Sequence, residues 1–210
     1  MSYKLSFNNV TKTFGRRLIF KNINRVFESG KIFGFSGRNG SGKSTLIKIA
    51  SGIISPTKGD VVHNCNGEKI IPERLHNYLG FVSPYLILYD EFTASENLYH
   101  VSKIRGKKYD EERSNFLLNE FDLLKRKKDY LKGYSSGMKQ RMKFIFALLH
   151  DPEVLFLDEP TSNLDDQGKE KVYEIIENEG KNKLVIIASN EKSDLNLCSE
   201  ILDIEEFKGN

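Results

Sequence analysis

The sequence predicts an α/β domain: a sheet with a mixed or parallel core, an antiparallel β part at the N-terminal end, and a helical insert. Three observations predict it. Residues 154–157 and 184–188 are uninterrupted apolar runs, the pattern of strands buried on both faces of a parallel sheet. A helical pattern over residues 167–179 separates them, as in a βαβ unit. Leu5, Phe7 and Val10, then Phe20, Ile23 and Val26 beyond a break at Gly15, alternate as two antiparallel strands would. Between about residues 95 and 150 the apolar side chains change to helical spacing.

In chain order, Gly30 marks a turn into a short apolar strand over residues 32–36, and a glycine-rich loop follows. A helix is expected over residues 43–51, ended by Gly52. Val61 and Val62, then residues 79–83, read as further short strands. In the helical stretch Leu98, Val101 and Ile104 recur, then Phe116, Leu117, Phe121 and Leu124. Met142, Ile145, Phe146 and Leu149 follow before the stop at Asp151-Pro152. The expected organisation is one domain of 210 residues, with residues 1–94 and 151–210 as α/β core and about 95–150 as a helical subdomain.

With 39% hydrophobic and 29% charged residues, the chain can bury a core and is not expected to be disordered. A net charge of +3 is too small to point to nucleic acid, and none is expected as a partner. The run Arg126-Lys127-Lys128 sits beside acidic residues and reads as a solvated face. Cys65 and Cys198 match no metal spacing and read as reduced thiols. His63, His76, His100 and His150 form no ligand-like cluster. No apolar run approaches the ~20 residues of a membrane span, and Met1-Ser2-Tyr3-Lys4 is not an apolar leader. Any role at a membrane is therefore expected to be borrowed from a partner.

Gly37-Arg38-Asn39-Gly40-Ser41-Gly42-Lys43-Ser44 matches G-x-x-x-x-G-K-[ST] between a predicted strand and a predicted helix. Glycines let the backbone wrap closely enough for successive N–H groups to face phosphate oxygens, and the helix adds its positive end. Lys43 is expected to reach the β- and γ-phosphates and Ser44 to bind Mg²⁺. The apolar run 154–157 ends in Asp158-Glu159, placed where ligands of parallel sheets bind. Asp158 is expected to hold Mg²⁺, and Glu159 to orient or deprotonate an attacking water. Ser135 and Gly137 stand where a helix begins, so a plain N-cap would also explain them locally.

Tyr134-Ser135-Ser136-Gly137-Met138-Lys139-Gln140-Arg141 resembles the signature of ABC ATPases, in a form common among export-type transporters. Asp158-Glu159-Pro160-Thr161-Ser162-Asn163-Leu164-Asp165 resembles the family's joined Walker B motif and D-loop, and Phe14 stands where the family has an aromatic residue under adenine. The resemblance covers essentially the whole chain. It implies a P-loop ATPase that uses ATP and Mg²⁺, with Gly37, Arg38, Asn39, Gly40, Ser41, Gly42, Lys43, Ser44 and Thr45 around the phosphates. It also implies that Ser135, Ser136, Gly137, Met138 and Asp165 act on a nucleotide sandwiched between two subunits, in a homodimer or a heterodimer. A membrane-spanning subunit is the further partner it implies, with this chain in the cytoplasm against the inner face of the membrane.

Two positions depart from the family pattern. A glutamine that contacts the metal and the lytic water is replaced by Pro84, and a histidine that touches the γ-phosphate is replaced by Asn190. Pro84 offers no polar side-chain group, whereas Asn190 can still donate a hydrogen bond, so hydrolysis is expected to be slow. A soluble ABC ATPase of DNA repair or translation and a P-loop small-molecule kinase are the other classes weighed. The absence of sustained heptads and of a second glycine-rich loop counts against the first.

Overall fold

The computed structural model describes residues 2–209. β1 (Tyr3–Phe14) and β2 (Arg17–Glu28) form an antiparallel ladder through the turn at Gly15. β3 (Lys31–Ser36) follows, then α1 (Lys43–Ala50), closed at Gly52, where Ile53 N–H bonds back to the Lys48 carbonyl at 2.9 Å. β4 (Lys58–Cys65) returns to pair with β1, and the two-residue β5 (Glu68–Lys69) completes a sheet of order β2-β1-β4-β5. β6 (Leu79–Val82) leads into α2 (Ala94–Ile104), α3 (Glu111–Glu120) and α4 (Ser136–Leu148). β7 (Val154–Asp158), α5 (Asp166–Gly180), β8 (Leu184–Ala188), α6 (Lys192–Leu195) and β9 (Glu200–Asp203) end the chain.

The second sheet, β6-β7-β8-β3-β9, is parallel at every pairing. Its continuous apolar strands are explained by two cores, one on each face. Val154, Phe156, Leu184 and Ile186 join the core with α1 and the antiparallel sheet, where Phe7, Phe27, Phe33 and Phe35 meet largely edge-on. Leu155, Leu157, Val185 and Ile187 join the other core, with α3, α4 and α5. Gly80 lets α4 lie close against β6, since a Cβ there would stand 2.5 Å from the Ala147 carbonyl oxygen.

Parallel strands share one end. The chain therefore leaves β3, β6, β7 and β8 on the same edge, which brings residues 37–42, 83–85, 158–159 and 189–190 together.

Three apolar positions differ from expectation. Val26 is 48% exposed and Phe27 is buried instead. Positive φ at Asn22 marks an irregularity that shifts the buried face of β2 between Phe20 and Ile23; from Ile23 onward plain alternation buries Phe27 and turns Val26 outward. Ile104, the last residue of α2, and Phe116, on the outer face of α3, are 74% and 55% exposed. Helical spacing continues to the ends of those elements, but the burying neighbour does not. Arg126 pairs with Asp129 at 2.7 Å on the surface, in line with a solvated basic run.

Candidate functional site

At the start of α1 the backbone itself forms the feature. Gly37, Gly40 and Gly42 have φ of 147°, 77° and 113°. A Cβ at Gly42 would stand 2.5 Å from Ile19 Cγ2, so both conformation and space require glycine there. Gly42 is the N-cap and provides no side-chain cap; no acid lies in the first turn. The first N–H groups of α1 and its positive end are therefore left to a ligand.

Lys43 is 5% exposed. Its ammonium donates to the Gly37 carbonyl at 2.9 Å and the Arg38 carbonyl at 3.4 Å, and lies 3.9 Å from Glu159 Oε1. Ser44 Oγ donates to Asp158 Oδ1 at 2.9 Å. Asp158 is fully buried, and its Oδ2 has no hydrogen-bond partner among the described residues; the same holds for Ser41 Oγ. Burial raises the pKa of Asp158 and outweighs the opposing bond from Ser44.

Glu159 adopts a left-handed φ of 49°, and its N–H bonds to the Ala188 carbonyl at 2.8 Å. A non-glycine residue held in this region is strained, and such strain concentrates at working sites. Burial also raises the Glu159 pKa, against the lowering pull of Lys43. Ser189 Oγ lies 3.3 Å from Glu159 Oε2 and 2.7 Å from Asp194 Oδ2. Asp194 is buried and also receives the hydroxyls of Thr161 and Tyr173, each at 2.8 Å.

These groups open on a cavity of about 690 Å³ lined by Phe14, Asn39, Gly40, Gly42, Lys43, Ser44, Thr45, Pro84, Asp158, Glu159 and Asn190, all singled out in the sequence. Gly37 and Arg38 support it from behind through their carbonyls. Arg17, Ile19, Tyr85 and Ser162 also line it and were not foreseen there. Ser162 lies inside the quoted Asp158–Asp165 motif, Tyr85 directly follows Pro84, and Arg17 is a cation close after Phe14. Phe14 is half-exposed, with Lys12 Nζ 4.9 Å from its ring centroid.

The remaining predicted residues lie elsewhere. Ser135 is the N-cap of α4, its hydroxyl accepting from Met138 N–H at 3.2 Å, so the local capping role is real. Ser135 and Ser136 are exposed, and Ser136 borders a separate groove beside Leu86, Ile87 and Asn163. Asp165 caps α5, accepting from Gly168 N–H at 2.9 Å. Within one chain neither the tip of α4 nor Asp165 lines the cavity.

A phosphate-type loop, a hydroxyl–carboxylate pair and an adjacent strained glutamate at the edge of a parallel sheet define a P-loop ATPase domain. The family model described as ABC transporter matches residues 20–162, and the chain belongs to that family. The lantibiotic transport ATP-binding protein SrtF of Streptococcus pyogenes is 32% identical over 205 residues, covering 98% of this chain and 85% of that protein. The linearmycin resistance ATP-binding protein LnrL of Bacillus subtilis is 33% identical over 187 residues, covering 87% of this chain and 60% of that protein. The dimeric structure of MJ0796, a bacterial ABC transporter cassette, superposes with a TM-score of 0.80 at 26% identity, covering 95% of this chain and 94% of that one. These matches favour neither a repair or translation ATPase nor a small-molecule kinase. Among the described residues no helix is long and apolar enough to cross a membrane.

Proposed function

We propose that this chain binds and hydrolyses ATP for an ABC transporter, each nucleotide being held between the α1 loop of one copy and the α4 tip of another. The observation that carries the reading is the contact of Ser44 with Asp158 at the mouth of an uncapped helix. It joins a phosphate-binding end to a buried carboxylate, as nucleotide hydrolysis requires.

In this reading Lys43 turns from the Gly37 and Arg38 carbonyls to phosphate oxygens, and the loop amides complete the cradle. Phe14 stacks on the base. The donor set suits magnesium: the Ser44 hydroxyl lies beside Asp158 Oδ1, while Oδ2 is buried and unpartnered among the described residues. Bound there, the ion would neutralise charge developing on the phosphates. Glu159 takes the proton of the attacking water; the hydroxyl of Ser189, 3.3 Å from Glu159 Oε2, has a single proton and lies nearer to Asp194 Oδ2, at 2.7 Å. Pro84 and Asn190 supply fewer polar contacts than the family pattern, and a missing preorganised donor costs ~10²–10³ in rate. Slow turnover by the isolated chain follows, with acceleration by a docked partner.

Ser135, Ser136, Gly137, Met138 and Asp165 act across the interface, which is why they lie outside the cavity of their own chain. The dimeric cassette supports that arrangement. Residues 1–94 and 151–210 form the core and about 95–150 a subdomain that carries α4. A membrane-spanning subunit binds that subdomain, with this chain on the cytoplasmic face. The form of the signature supports export.

The test is nucleotide affinity. Lys43→Ala abolishes ATP binding, and a tagged Glu159→Gln chain, gently extracted from native membranes, brings a membrane-spanning protein with it. Retained affinity in the first variant sinks the site assignment; no membrane partner in the second sinks the transporter role.

A further inference from the structure

The segment between β6 and α2, residues 83–93, is held in place largely by side chains. Asn97, 1% exposed, accepts from Tyr89 N–H at 3.1 Å and donates to the Tyr89 and Thr93 carbonyls at 2.9 and 3.0 Å. Lys139 grips Asp90 at 2.8 Å. One turn further along α4, Lys143 is 9% exposed and donates to the carbonyls of Ser83 at 3.0 Å and Pro84 at 2.8 Å. The Ser83 carbonyl also closes the turn to Leu86 N–H at 3.1 Å.

An ammonium in the interior is costly unless its bonds matter, and here they are to two backbone carbonyls. Burial lowers the pKa of Lys143, in keeping with that cost. An apolar side chain would fill the space without it. Pro84 lines the nucleotide cavity and brings no polar side-chain group, so hydrogen bonds can fix its position only through its backbone. Lys143 stands on the helix whose tip is Ser135, and thus spans from that helix to the cavity wall.

We propose that Lys143 is a positioning residue of the nucleotide site, tying the Ser83–Pro84 backbone to α4 so that the cavity wall and the Ser135 tip move as one piece. The proposal rests on the ATPase reading above and adds to it a link that Pro84, with no polar side-chain group, cannot make.

The experiment measures steady-state ATP turnover and, separately, equilibrium MgATP affinity of the purified chain. Lys143→Ala keeps the helix and leaves room for water to reach both carbonyls. Expected is a drop in turnover of about tenfold with affinity within about twofold, since the cradle is untouched. Lys143→Gln keeps one donor group and falls between the two. Turnover of Lys143→Ala within twofold of the parent, or an affinity loss as large as the turnover loss, overturns the proposal. So does a Gln variant slower than Ala. If the parent chain itself binds no MgATP, it is the ATPase reading that fails.

Discussion

Two helix tips in this molecule are built in opposite ways. α1 begins at a left-handed glycine with no side-chain cap and faces a cavity that also holds Lys43, Asp158 and Glu159. α4 begins at Ser135, whose hydroxyl already accepts from Met138 N–H, and it faces outward. α2, α3 and α5 are capped in the second manner, by Thr93, Asp110 and Asp165. A side-chain cap stabilises a helix by about 1 kcal/mol, so α1 forgoes stability to keep its N–H groups available. Ser135 gives up a lone pair to its own helix and keeps its hydroxyl proton, enough for one bond to an anion outside the chain. One tip belongs to a site complete with its acids; the other is complete as a helix and waits for something to face.

The largest effects come from breaking the first tip. Lys43→Ala should weaken MgATP affinity by about 10²-fold or more, whereas Glu159→Gln should keep affinity and lower turnover by ~10²–10³. Calorimetric titration and phosphate release separate the two. If the contrast between the tips is right, Ser135→Arg leaves nucleotide affinity of the monomer within about threefold yet lowers turnover by about 10². Mixing Lys43→Ala chains with Ser135→Arg chains should then restore activity, because a mixed dimer holds one site with both tips intact. Failure to complement would mean that both tips serve the same chain.

How much of this was legible in the sequence differs between the two tips. The glycine spacing before Lys43, and the apolar run ending in Asp158-Glu159, specified both the elements and their meeting, because parallel strands share one end. The α4 tip was legible as a helix start, and only resemblance gave it a further role. Less could be read where long-range contacts decide. The irregularity at Asn22 shifts the buried face of β2 between Phe20 and Ile23, after which plain alternation buries Phe27 and exposes Val26. β9 was missed, since Glu200–Asp203 is an edge strand with Ile201 exposed and carries no apolar run. The tie from Lys143 to Pro84 joins residues 59 apart, beyond any local pattern.

Acidity should sharpen the comparison further, because two carboxylates with raised pKa, Asp158 and Glu159, sit at the α1 tip. Burial raises the Glu159 pKa, so its carboxylate is protonated at a pH where an ordinary glutamate, near 4.3, is still ionised. Turnover should therefore begin to fall on acidification at a pH above that value. Folding must be followed alongside. His63 is buried neutral with its pKa lowered to about 4 by desolvation, so the unfolded chain takes up that proton first. Stability is then lost as pH drops from about 6.5 towards 4, by about 2 kcal/mol at pH 5 from this residue. A rate that declines only below about pH 4.3, in protein shown still to be folded, would remove Glu159 from its assigned role.

The smallest effect tests a cap that is also claimed for the interface. Asp165 accepts from Gly168 N–H at 2.9 Å and lies outside the cavity. Asp165→Ala should cost about 1 kcal/mol, a fall of roughly 2–4 °C in melting temperature for a chain of this size. MgATP affinity of the isolated chain should not change, because the carboxylate is spent on its own helix and the role proposed for it requires a second copy. If affinity falls with the melting temperature, Asp165 reaches the nucleotide within its own chain. The division of labour between an open tip and a capped one would then have to be redrawn at α5.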